Sequence, residues 1–279
     1  MSFLRKMTIC VTALAILTGT ASAGSSQSGV TLHPEGLVQS FSEKVEQALA
    51  QRGAHVALVA RVGRNPDDLP DGVQFTHAAF WVYSEFVEKD GSTRRGYQVF
   101  NLYQRAKDPW TSDLVRDLPY DFFATGAVLE AGVAIPDPRL QAKLLKVLTG
   151  PANEKLHNPR YSLLSNPDNN QYQNCTEHSL NVLFAALYGT DDMTRLKANI
   201  TAHYDAQPIK LSPLKRALGP VFVRGVETDD HGRRIETTTF TSIARFMAKH
   251  GLISEALRIR RTGTLPLRGL PAAITELPT

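Results

Sequence analysis

A chain of 279 residues, with 31 Lys and Arg against 27 Asp and Glu, has room for one large domain or two small ones and for a proper core. Its opposite charges are mixed along the chain, so the formal charge of +4 is no sign of a nucleic-acid partner. Only Arg258, Arg260, Arg261 and Arg268 cluster, and they read as a flexible, solvated tail, with 263–279 placed outside the domain.

Arg5 and Lys6 precede an apolar run over 7–17, and Ala21-Ser22-Ala23 supplies a small-x-small cleavage site. This is the pattern of a secretory signal peptide over 1–23. The run falls short of the ~20 residues that span a bilayer, and nothing downstream is long and apolar enough to span one. Cys10 lies behind Ile9 inside the run, which argues against a lipoprotein signal. The expectation is export to a bacterial periplasm or beyond, with no transmembrane segment once the leader is cleaved after Ala23. Cleavage leaves 256 residues, 29 basic against 27 acidic, and Cys175 as the one cysteine. In an exported protein such a cysteine is a reactive thiol, half of an intermolecular bridge, or a buried inert residue.

After a linker over 24–35, a single α+β domain is expected over 36–262. Leu37, Phe41, Val45, Ala48 and Leu49 recur at helical spacing and predict a helix over 36–52, ended by Gly53. A strand over 55–62 and a turn-rich stretch over 63–72 follow. Residues 73–86 are rich in β-branched and aromatic side chains, and the turn signal at 89–92 predicts an antiparallel return over 96–104. Next come a helix over 112–123, a buried strand over 127–135, and a helix opened by Asp137-Pro138 and closed by Gly150. A long polar loop over 151–174 leads to a helix from Cys175 to Gly189, and a second helix covers 190–204, with Asp191 and Asp192 in its first turn. Beyond lie a short helix near Leu214, a strand over 221–226, a turn over 229–232 and a helix over 241–250. Helices around a small, mainly antiparallel sheet define an α+β architecture.

Asn174 is a good N-cap, which puts Cys175 in the first turn of its helix. There the free backbone N–H groups and the dipole favour the thiolate and can donate to a developing oxyanion. Cys175 shares a stripe with Ser179, Val182 and Ala186, so its sulfur is expected to face the sheet. The alternative is a small buried thiol that fills space. A nucleophilic thiol needs a base, and His77 lies in the 73–86 strand, on alternating positions with Phe75, Ala79, Trp81 and Tyr83. A satisfied core histidine is the alternative there.

Phe75-Thr76-His77-Ala78-Ala79-Phe80 resembles the histidine strand of the circularly permuted NlpC-type hydrolases, including the lecithin retinol acyltransferase-like enzymes. Asn174-Cys175-Thr176-Glu177-His178 resembles the Asn-Cys-Glu-His start of their nucleophile helix, with one residue inserted. The histidine precedes the cysteine here, as in the permuted group. The whole chain also resembles an uncharacterised bacterial family of exported proteins, a domain of unknown function. The resemblance implies a papain-like fold, with Cys175 as nucleophile and His77 as base. It places the third residue on the strand after the histidine, with Asn101 the best candidate and Gln98 second.

His178 lies about 60° around the helix from Cys175, beside a polar face carrying Glu177 and Asn181, and is expected to be solvated or to act at one remove. A metal on Cys175 and His178 would need two further ligands, and His157 and Asp168 have no recognisable spacing for that. No metal or cofactor is expected. The leading expectation is an exported cysteine hydrolase that transfers an acyl group through a thioester, with a peptide or cell-wall fragment as substrate. The rival is an envelope binding or scaffold protein with an inert cysteine. Transfer of a lipid acyl group is a third reading, unsupported by any basic amphipathic surface helix.

Overall fold

The computed structural model describes residues 31–87, 91–210, 224–268 and 270. The expected leader, the Leu214 helix and the first three residues of the 221–226 strand lie outside them, as do residues 88–90 of the first hairpin turn.

Seven strands form one antiparallel sheet, in the order β4-β3-β2-β1-β5-β8-β9. They are β1 (Val56–Val62), β2 (His77–Val87), β3 (Thr93–Gln104), β4 (Ser112–Asp117), β5 (Val128–Pro136), β8 (Ile253–Arg260) and β9 (Gly263–Pro266). β6 (Gln207–Ile209) and β7 (Ile235–Thr237) make a separate two-stranded ribbon. The sheet is thus larger than the small one expected. β1 is buried along its whole length, because helices cover both faces of the sheet.

On one face lie α1 (Glu35–Ala50) and α2 (Pro119–Ala124), whose Val38, Phe41, Phe122 and Phe123 pack with Ala57, Val59 and Trp81. On the other lie α3 (Pro138–Thr149), α5 (Cys175–Tyr188), α6 (Met193–His203) and α7 (Phe240–Lys249). Their Leu144, Leu183, Leu196 and Ile243 pack with Leu58, Phe80 and Val82. Neighbouring residues of β1 and β2 therefore feed different cores, as the two-residue period of a strand requires.

Several expected elements differ. The 112–123 helix is instead strand β4 followed by α2: Ser112–Asp117 pairs with β3, and Pro119, with no N–H to lose, opens a new helix. Of the expected strand over 221–226, the described residues are not a strand: Arg224 and Gly225 form a turn, where Gly225 has φ +77°. The 151–174 loop contains the short helix α4 (Ala152–Lys155) and is packed rather than free, with Tyr161, Ser162, Ser165 and Gln173 fully buried. The 73–86 strand begins at His77. Arg258 and Arg260 are not in a solvated tail; they sit on β8 and each donates to Glu130 of β5 at 2.7 Å. Residues 263–266, placed in the tail, are strand β9.

Candidate functional site

The pairing of β2 with β3 runs from Val87↔Thr93 to Phe80↔Phe100 and stops there. Beyond it, β3 continues with β4 alone, from Asn101↔Val115 to Gln104↔Ser112. The start of β2 and the end of β3 therefore diverge. The first turn of α5 enters beside this opening. Cys175 packs with Leu102 of β3 and Tyr161, and the backbone N–H of Ala78, in β2, is directed at its thiol. The sulfur thus lies next to the peptide unit that joins His77 to Ala78.

Local sequence explains how α5 is aimed. Asn174 caps it, its Oδ1 accepting from Glu177 N at 2.9 Å, while its Nδ2 donates to Leu163 O at 2.9 Å. Thr176 Oγ1 donates within the first turn to Asn174 Oδ1 and outward to Thr238 O, at 2.8 and 2.7 Å. Gly189, with φ +65°, ends the helix in the left-handed conformation.

His77 is fully buried, opposite Arg61 in the β1–β2 ladder. Its Nε2 lies 2.9 Å from Asn101 Oδ1, and Asn101 Nδ2 donates to Asp117 Oδ2 at 3.0 Å. A carboxylate only accepts, so Asp117 orients the Asn101 amide with its oxygen toward the ring. Nε2 then carries the proton. Nδ1, buried and without a hydrogen-bond partner, keeps its lone pair. The Tyr103 ring stacks on the imidazole at 4.9 Å and 10°, which fixes its plane, and the Tyr103 hydroxyl also bonds Asp117.

Burial, then the nearby Arg61 charge, hold the His77 pKa well below the usual imidazole value. Burial also pushes the Cys175 thiol up, against the pull of the N–H groups of Ala78 and Thr176 and of the Arg61 charge. The helix start therefore does not produce a resting thiolate as the sequence led us to expect. A thiol 4% exposed loses more by desolvation of its anion than the first-turn N–H groups return. At neutral pH the two groups rest as thiol and imidazole.

Residues 48–247 match the family described as "Uncharacterized protein conserved in bacteria (DUF2145)". The chain belongs to this family. No curated protein and no solved structure matches the chain. The stretch shared with DUF2145 contains Arg61, His77, Asn101, Asp117 and Cys175, so the whole polar cluster and the cysteine lie inside it.

Of the residues singled out in the sequence, His77 and Asn101 are brought into direct contact, with the His77 ring against Phe122 of α2, whereas Cys175 meets the backbone N–H of Ala78 from the α5 face of the sheet. Gln98 is not part of the cluster; it accepts from Arg116 at 3.3 Å. His178 is not solvated. It is buried and bonded to Asn153 at 3.1 Å, and burial lowers its pKa to about 3. Glu177, on the expected polar face, is fully buried and meets Lys197 at 2.6 Å. His157 bonds Ser112 at 3.0 Å and Asp168 accepts from Thr201 at 3.0 Å. Among the described residues no three His, Cys, Asp or Glu side chains gather as a metal site, and no helix is long and apolar enough to cross a membrane.

Sequence reasoning missed Arg61, Asp117 and Tyr103. A cleft of about 220 Å³ opens at Cys175, lined by Arg64, Phe75, Tyr161, Thr176 and Thr238 among others. A larger cleft, about 720 Å³, lies at the other end of α5, around Lys143, Tyr188 and Gly189. It contains none of the groups just described. The Cys175 cleft holds a thiol at a helix start, and His77 is not among the residues that line it.

Proposed function

We propose that this protein is an exported cysteine hydrolase, acting by acyl transfer through a Cys175 thioester on amide bonds of peptides or cell-wall fragments. One observation carries the reading: the Cys175 thiol stands in the first turn of α5 at the wall of a cleft, where the N–H groups of Ala78 and Thr176 meet it. The resemblance of the two motifs to the permuted NlpC-type hydrolases supports it, and the leader pattern over 1–23 supports an envelope or extracellular site of action.

The chemistry follows from the resting states. In the role that the resemblance gives it, His77 takes the thiol proton as the sulfur attacks the carbonyl carbon, so charge forms only as the bond forms. In this reading the N–H groups of Cys175 and Thr176, which act on the sulfur at rest, donate to the developing oxyanion. The imidazolium returns its proton to the leaving amine as the C–N bond breaks. A water, deprotonated by the same imidazole, then attacks the thioester, releases the acid and restores the thiol. Asn101 holds the imidazolium plane throughout by accepting from Nε2–H.

The rival reading, a non-catalytic envelope scaffold, draws on the 4% exposure of Cys175. Purified protein assayed against cell-wall peptides and simple thioesters separates the two. Turnover in wild type, lost in Cys175→Ala with folding retained, is the expected result. If none of these substrates is turned over and cells carrying Cys175→Ala match wild type under envelope stress, the scaffold reading replaces this one.

A further inference from the structure

Arg64 follows β1 by two residues, and the bond from Gly63 N to Thr76 Oγ1, at 2.7 Å, pins the chain where it leaves the sheet. Arg64 lines the Cys175 cleft, and it is the cation among the described residues that do so. Its Nη2 is buried and has no hydrogen-bond partner. Asp68 and Tyr161 also line the cleft, and the Asp68 charge acts on Arg64, but neither group takes the Nη2 N–H. The remaining wall includes Phe75, Leu163, Val226 and Thr238, while the Thr176 hydroxyl is already committed to Asn174 and Thr238 O. A buried guanidinium N–H without an acceptor is costly, and a carboxylate matches the planar fork of the group. The cleft, about 220 Å³, is smaller than the ~300–1,000 Å³ of most small-molecule sites, so it suits a compact group rather than a long chain.

We propose that Arg64 makes the Cys175 cleft a receptor for a compact carboxylate-bearing group, so that the acyl substrate carries a carboxylate beside the carbon the sulfur attacks. This deepens the nucleophile reading of Cys175 and rests on it, but its test requires no turnover. Iodoacetate and iodoacetamide differ in charge while sharing size and chemistry. Each forms an S–C bond as the C–I bond breaks, releasing iodide and the thiol proton. The probe is the full-length protein, with labelling at Cys175 quantified on its peptide by mass spectrometry.

The ratio of iodoacetate to iodoacetamide rates should exceed that of a free cysteine thiol. Arg64→Met should lower the iodoacetate rate about tenfold while changing the iodoacetamide rate less than about twofold, and Arg64→Lys should keep part of the preference. The iodoacetamide rate serves as the control for folding and access. An unchanged ratio in Arg64→Met overturns the proposal, as does a native protein in which neither reagent reaches Cys175. A preserved iodoacetate preference in a protein that hydrolyses nothing leaves the receptor standing and removes the hydrolase instead.

Discussion

His77 and Cys175 are both shifted toward their neutral forms, and the cause is burial in each case. This gives a pH signature. Because the thiol is raised rather than lowered, thiolate forms only above the ordinary cysteine range. The rate of Cys175 labelling by iodoacetamide should therefore keep climbing past about pH 9. A plateau near neutrality would mean a resting ion pair and would contradict the site as described. The proposed base and the carboxylate behind it also rank in order. His77→Ala should cost about 10²–10⁴ in acyl transfer, whereas Asp117→Ala, which frees the Asn101 amide to turn, should cost about tenfold. Rate measurements on the two variants against one thioester check that order. At this scale the sequence was partly legible. His77, Asn101 and Cys175 carry motif contexts that can be read along the chain. Arg61 was visible as a charge inside an otherwise apolar strand but its use was not, because cross-strand register decides what faces it. Asp117 was hidden by its assignment to a helix, since Leu114, Val115 and the later aromatics fit a helical period as well as a strand.

The cysteine helix is held at its start and along one side. Asn174→Ala removes the cap and two further hydrogen bonds, and should lower stability by about 1–2 kcal/mol in urea unfolding. Along the side, Lys197 of α6 meets Glu177 at 2.6 Å and donates to Pro167 O at 3.0 Å, tying α5, α6 and the 151–174 segment together. Lys197→Met leaves a carboxylate buried without its partner and should cost about 3–5 kcal/mol. Adding Glu177→Leu should recover most of that loss, and a double variant no more stable than the single one contradicts the pairing. The helix and its cap were legible because Asn174, the apolar stripe and Gly189 are local signals. The burial of Glu177 was not, because charged residues on a helix ordinarily face water and only the tertiary fold supplies Lys197.

Across the whole molecule, two helical layers enclose the sheet, and buried histidines make its stability depend on pH. His178 has a pKa of about 3 when folded against 6.5 when exposed, so the unfolded chain alone gains a proton between these values. Its contribution is complete above pH 6.5 and falls as the pH drops toward 3, with about 2–3 kcal/mol lost between pH 7 and 4.5. His178→Gln should flatten the pH dependence of urea unfolding by that amount over that interval. Packing is equally tight at the sheet centre, where a Cβ on Gly132 would come within 2.5 Å of Phe240 and 2.8 Å of Phe75. The α+β class and the antiparallel β2–β3 pair were readable from periodicity and turn signals. The seven-stranded extent was not: β8 carries Arg258 and Arg260 at alternating positions, and only Glu130 on the neighbouring strand explains them.

The central claim is that His77 activates Cys175 for attack on an acyl carbon. Its most direct test is the rate at which p-nitrophenyl acetate acylates Cys175 in the native protein, read as p-nitrophenolate release and located by peptide mass spectrometry. The account predicts one acetyl group on Cys175 in wild type, none in Cys175→Ala, and acylation slowed at least about 100-fold in folded His77→Ala. Acylation of Cys175 at the same rate with and without the His77 imidazole would contradict it.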